Sequence, residues 1–62
     1  MIKVGSLIVA RNGMAAKLGG HCIYIGRDLI NDDHLLYDIK LAKFFTHFRS
    51  IDIDKYYNVV AE

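Results

Sequence analysis

Leu35-Leu36-Tyr37-Asp38-Ile39-Lys40-Leu41-Ala42-Lys43-Phe44-Phe45-Thr46-His47-Phe48 is the stretch on which the fold turns, because its apolar residues fit two periodicities at once. With period two, Leu35, Tyr37, Ile39 and Leu41 share one face and Leu36, Asp38, Lys40 and Ala42 the other, the alternation of a half-buried strand. A break then falls near Ala42-Lys43, beyond which Phe44, Thr46 and Phe48 alternate with Phe45, His47 and Arg49 as a second antiparallel strand. With period 3.6, a helix capped by Asp32 or Asp33 gathers Leu35, Ile39, Ala42 and Phe45 on one stripe but sends Tyr37, Leu41 and Phe44 to the opposite side. Such an apolar arc nearly circles the helix, and so many aromatic and β-branched side chains suit a pleated surface better. The stretch therefore reads as two strands; the alternative is an α+β chain with a helix over residues 33–48.

Toward the start of the chain, Met1 to Arg11 carries Ile2, Val4, Leu7, Ile8 and Val9, a first strand with apolar residues on both faces around Leu7 to Ala10. Asn12-Gly13 closes it, since both residues tolerate positive φ. Met14 to Leu18 is too short for a stable helix and reads as a loop or single turn ending at Gly19-Gly20. His21-Cys22-Ile23-Tyr24-Ile25, between Gly20 and Gly26, is a second strand. Arg27 to Asp33 is a polar connection in which Leu29 and Ile30 are expected to fold back as a lid on the core. After Phe48, Ser50 and Asp52 are candidate N-caps for a short helical turn, and Tyr57-Asn58-Val59-Val60-Ala61 returns as a last strand. Five short strands in 62 residues leave no chain for a covering layer of helices, so the sheet is expected to curl onto itself as a small barrel.

Composition bounds what such a chain does. At 53% hydrophobic and 24% charged it is too apolar for disorder and too evenly interrupted for a membrane span, and 62 residues hold one domain, residues 1–62. The start MIKVGSLIVAR is too short for a secretory signal, and the lone Cys22 forms no internal disulfide, which gives a cytoplasmic protein as the expectation. So small a domain without a cross-link leaves apolar surface over, which points to a protein partner or a homo-oligomer. The net charge of +1 hides an asymmetry: Lys3, Arg11, Lys17 and Arg27 stand without an acid in residues 1–27, while seven acids face four bases in residues 28–62.

The motifs of common chemistries are missing. His21 and Cys22 are neighbours on a strand and point to opposite faces, so they cannot converge on a metal or form a thiolate pair; a buried structural cysteine beside a surface histidine is the reading. His34 and His47 match no zinc spacing. Asp32, Asp33 and His34 lack the alternating oxygens and glycine bend of a calcium loop and read as a solvated turn. Asp52 and Asp54 suit a helix start. Neither G-x-G-x-x-G, a Walker lysine nor G-x-S-x-G occurs. No cofactor, metal or catalytic residue is assigned, and the chain reads as a non-enzyme.

Two surfaces remain. Six of the seven rings lie in residues 37–62, more than a small core holds. Phe44 and Phe45 cannot both face inward from a strand, so one of them, with one of Tyr56 and Tyr57, is the candidate partner contact. Arg11, Lys17 and Arg27, with Tyr24 to stack a base, form the rival nucleic-acid site.

The order of these elements resembles the SH3-like barrels. Lys3-Val4-Gly5-Ser6-Leu7-Ile8-Val9 opens like their first strand, and Gly20 to Gly26, Tyr37-Asp38-Ile39-Lys40 and the turn from Ile51 to Lys55 follow in the family's sequence. The chain departs from it at Leu41-Ala42-Lys43, which has no glycine or asparagine for the usual tight hairpin. The resemblance implies a five-stranded antiparallel barrel with a helical turn before its last strand, a fold that binds peptides, nucleic acids or other subunits. The compact build also resembles the small accessory proteins of tailed bacterial viruses, which dock on larger enzymes. The expected function is a non-enzymatic interaction module, an accessory or regulatory subunit.

Overall fold

The computed structural model describes residues 2–11 and 20–62. The expected Asn12-Gly13 turn, the Met14–Leu18 segment and Lys17 lie outside the described residues. The chain is mainly β: β1 (Leu7–Ala10), β2 (His21–Arg27), β3 (His34–Asp38), β4 (Lys43–His47), a single helical turn α1 (Ile53–Tyr56) and β5 (Tyr57–Ala61). All strand neighbours are antiparallel in one sheet of order β4-β3-β2-β1-β5.

Residues 33–48 thus contain two strands and no helix. Their register, from His34 opposite His47 to Asp38 opposite Lys43, is set by a turn that the sequence signals poorly. Ala42 supplies the positive φ, 53°, that a glycine or asparagine usually supplies, and the Asp38 carboxylate accepts a hydrogen bond from the Leu41 amide at 2.9 Å. Ile39 and Leu41 consequently belong to the turn and are exposed.

The sheet curls far enough for its edge strands β4 and β5 to meet through the His47 and Tyr57 side chains, but among the described residues it is not closed. Curl comes from two bulges: Ile25 is extra in the β2–β3 ladder, and Val60 is extra in the β1–β5 ladder. At the first bulge Gly26 takes φ +132°, and a Cβ there would stand 3.4 Å from the Val4 side chain. The expected closure into a hydrogen-bonded barrel is absent among the described residues, where β4 and β5 remain the sheet's edges.

The concave face holds the core: Ile2, Ile8, Ala10, Cys22, Tyr24, Leu36, Ile53 and Tyr57, with Phe45 packed against it. Ile53 of α1 closes one side, and the Ile2 amide donates to the Asp54 carboxylate at 2.8 Å, tying the start of the chain to α1. Asp52 occupies the N-cap position but its side chain makes no capping bond. The first strand is shorter than expected: Val4-Gly5 forms a turn, closed by the Ser6 amide on the Lys3 carbonyl at 3.0 Å, and Gly5 takes φ +90° there. The Arg27–Asp33 connection also differs. Leu29 and Ile30 do not cover the core; they are 101% and 88% exposed.

Candidate interaction surface

The inward set of β3 is His34, Leu36 and Asp38, while Leu35 and Tyr37 lie on the outer face, half-buried. Alternation is as the sequence implies, but the more apolar face is the outer one. Polar groups tolerate the inside because each finds a partner. His34 Nε2 stands 3.0 Å from the Ile51 carbonyl, which can only accept, so Nε2 carries the hydrogen. Nδ1, 2.9 Å from the Tyr24 hydroxyl, then accepts from it when the ring is neutral. His47 Nε2 lies 2.7 Å from the Tyr57 hydroxyl. Burial, and secondarily the neighbouring His34, push the His47 pKa down. Burial pushes the Tyr57 phenol up, with Cys22 and Asp38 adding to it, so the phenol keeps its proton. The Cys22 thiol is pushed up to about 11 by burial and then by Asp38, and is not a thiolate at neutral pH. His34, expected in a solvated turn, is therefore a core residue; His21 is exposed and Cys22 buried, on opposite faces. Among the described residues no three His, Cys, Asp or Glu converge to hold a metal ion.

The outer face of the sheet carries an apolar row in register across four strands. Leu7 opposes Ile23, Ile23 opposes Tyr37, and Tyr37 opposes Phe44. The first three shield one another and are half-buried; Phe44, on the edge, is 63% exposed. Its ring meets Tyr37 edge-on at 4.9 Å between centroids, which fixes its orientation without covering it. Phe45 points inward and sits 5.4 Å from the His47 ring. Of the second pair, Tyr56 is 38% exposed beside Lys55, and Tyr57 is buried. Each pair thus divides into one inward and one outward ring, Phe44 and Tyr56 being the exposed members.

Of the residues expected to form a nucleic-acid site, Arg11, Tyr24 and Arg27 are among the described residues, and these three do not gather. Tyr24 is buried and hydrogen-bonded to His34, so no base can stack on it. Arg11 follows β1 beside the start of β2, whereas Arg27 ends β2, and Arg27 donates to the Asp32 carbonyl at 2.9 Å.

Several exposed residues escaped the sequence reading. Phe48 is 73% exposed and Leu41 58%, and both flank Phe44 along the chain. Residues 39–51 contain Lys40, Lys43 and Arg49 and not one acid, a signal obscured when the charge of residues 28–62 is summed. The three cations make no ion pair among the described residues, the ion pair seen there being Lys3 with Glu62 at 3.5 Å. Leu29 and Ile30 crown a braced loop: the Arg49 guanidinium donates to the Asn31 carbonyl, the Arg49 amide to the Asp33 carboxylate, and Asp32 adopts φ +59°. No helix among the described residues is long and apolar enough to cross a membrane. Comparison with known proteins finds no family model, no curated protein and no solved structure that matches the chain.

Proposed function

We propose that this protein is a non-enzymatic interaction module, a small accessory or regulatory subunit that docks on a larger partner protein through the outer side of β4. The supporting observation is the exposure of Phe44 on edge strand β4 and of Phe48 just after it, with Ile39 and Leu41 exposed in the turn before it. Burying one such ring on a partner is worth roughly 1.5–3 kcal/mol, so two of them supply about 3–6 of the roughly 8 kcal/mol of a micromolar affinity, before the cost of association. The order of five strands with a helical turn before the last fits an SH3-like barrel whose two edges meet through side chains, and the His47–Tyr57 contact supports that reading. A cytoplasmic accessory protein of the kind that tailed bacterial viruses encode suits the same features. Replacing Phe44 and Phe48 by Ala, with the fold checked by circular dichroism, is expected to abolish capture of the partner; retention of full affinity removes this surface from the function.

The rival reading is nucleic-acid binding, relocated from Arg11, Lys17, Tyr24 and Arg27 to β4, where exposed rings stand near cations that form no ion pair among the described residues. Oligonucleotide binding that falls steeply with salt is its test.

A further inference from the structure

We infer that β4 is a docking edge for an acidic, extended segment of another protein, which adds to the sheet as a sixth strand. The inference rests on the interaction-module reading above and names the chemistry of its partner.

Three independent features converge on this edge. Among the described residues β4 pairs with β3 on one side and with no strand on the other, where the His47 side chain reaches Tyr57 of β5, so the backbone groups of that edge have no ladder partner there. The apolar row Leu7–Ile23–Tyr37–Phe44 stops at this edge with Phe44 uncovered, and a strand laid alongside would continue it with an apolar side chain of its own. The cations of residues 39–51 have no acid in that segment and no ion pair among the described residues. Two carboxylates stand nearby and both are engaged: Asp38, opposite Lys43 in register, is buried and accepts from the Leu41 amide, and Asp33 accepts from the Arg49 amide.

Strand periodicity then specifies the segment. Within β4, Phe44 and Thr46 share the outer parity and are exposed, while Lys43 shares the other parity with the half-buried Phe45 and His47; exposed Phe48 and Arg49 follow the strand, Arg49 in a turn. A complementary strand therefore alternates apolar residues, on the Phe44 side, with carboxylates toward Lys43; Lys40 in the preceding turn extends the cationic end, and Arg49 lies beyond the other end of the strand. The opposite edge, β5, offers no such code. Its exposed side chains are Asn58, Val59, Val60 and Ala61, and Glu62 beyond them is paired with Lys3.

The test uses fluorescein-labelled peptides of alternating Val and Glu, a Val and Lys counterpart, a Val and Glu peptide N-methylated at alternate amides, and oligothymidylate, titrated with the whole protein. The Val and Glu peptide is expected to bind with Kd below about 100 µM, to shift the backbone amide resonances of residues 43–47, and to weaken as salt rises. Lys40→Glu, at an exposed turn position, and the double variant Lys40→Glu/Lys43→Glu are each expected to weaken it, the double variant by roughly tenfold or more. Equal binding of the Val and Lys peptide, full affinity of the N-methylated peptide, tighter binding of oligothymidylate, or no binding of the Val and Glu peptide up to about 1 mM each overturns the inference. Partner capture that is lost in Phe44→Ala but untouched in the lysine variants also overturns it, while leaving the interaction-module reading in place; capture untouched in both overturns the two together.

Discussion

His47 on β4 and Tyr57 on β5 meet through Nε2 and the phenolic hydroxyl at 2.7 Å, joining the two edge strands that no backbone ladder connects among the described residues. Their rings are 5.7 Å apart, and His47 stands opposite His34 in the β3–β4 register. A charge on His47 is disfavoured by burial and by that neighbour, so its folded pKa lies below the unfolded value near 6.5. The unfolded state then binds more protons, and stability rises with pH across this range. The contribution is complete above about pH 6.5 and is lost as pH falls through the lower folded value. Urea midpoints are expected to be lower at pH 5.5 than at pH 7.5. His47→Gln should flatten that difference; an unchanged slope would place the titration elsewhere.

His34 has both ring nitrogens engaged inside the protein, one with Tyr24 and one with the Ile51 carbonyl. His34→Ala removes two hydrogen bonds, leaves a buried phenol unpaired and opens space in the core. The expected loss is about 2–4 kcal/mol by chemical denaturation. Tyr24→Phe, which deletes one bond and no volume, should cost only about 1 kcal/mol. Equal losses in the two variants would show that the Ile51 contact carries no weight.

Ser6 presents the opposite case. Its amide and carbonyl are both used, by Lys3 and by the Tyr24 amide, yet its hydroxyl is buried without a hydrogen-bond partner among the described residues. Ser6→Ala relieves that desolvation and is expected to stabilise the protein by up to about 1 kcal/mol. A destabilised Ser6→Ala, read as a lower melting temperature, would reveal a partner for the hydroxyl.

Cys22 is fully buried at the centre of the sheet, and its thiol sits near pKa 11. Modification by an aromatic disulfide reagent at pH 8 should proceed only through opening of the fold, slowly in buffer and at once in denaturant. Rapid reaction in buffer would mean that β2 is accessible without unfolding.

The strands were legible where glycine or an unambiguous alternation bounded them, as at Gly20 and Gly26 around β2. The β3–β4 turn was harder to read, because Ala42 takes a conformation its residue type does not advertise and Asp38 makes the turn through its side chain. The burial of β3 was legible in parity but not in phase. An inward His34 and Asp38 pay off only through Tyr24, Ile51 and Leu41, and partners 10 and 17 residues away from His34 leave no local trace. Phe44 against Phe45 followed from alternation alone, which said that one of the pair must turn outward and not which; Tyr56 and Tyr57 sit at the junction of α1 and β5, where alternation does not apply. The cationic edge was visible as a run of residues 39–51 without an acid, but summing charge over half the chain buried it.

Leu29 and Ile30 expose the limit of hydropathy as a guide, because two aliphatic residues in a polar connection invite the inference that they fold back onto the core. Backbone bonding forbids it. Asp28 and Asp33 pair through the Asp28 amide at 2.7 Å, the Asp32 amide donates to the Asp28 carbonyl at 2.8 Å, and the Ile30 amide donates to the Asp28 carboxylate at 3.2 Å. Arg27 and Arg49 hold the carbonyls of Asp32 and Asn31. The loop is closed on itself with its tip turned to solvent, so its two aliphatic side chains contribute nothing to the core. Leu29→Glu and Ile30→Glu are expected to change the unfolding free energy by less than about 0.5 kcal/mol, as surface substitutions do, where loss of a buried lid would cost about 2–5 kcal/mol. Urea denaturation of the two variants separates these values, and a loss in the larger range would return the loop to the core.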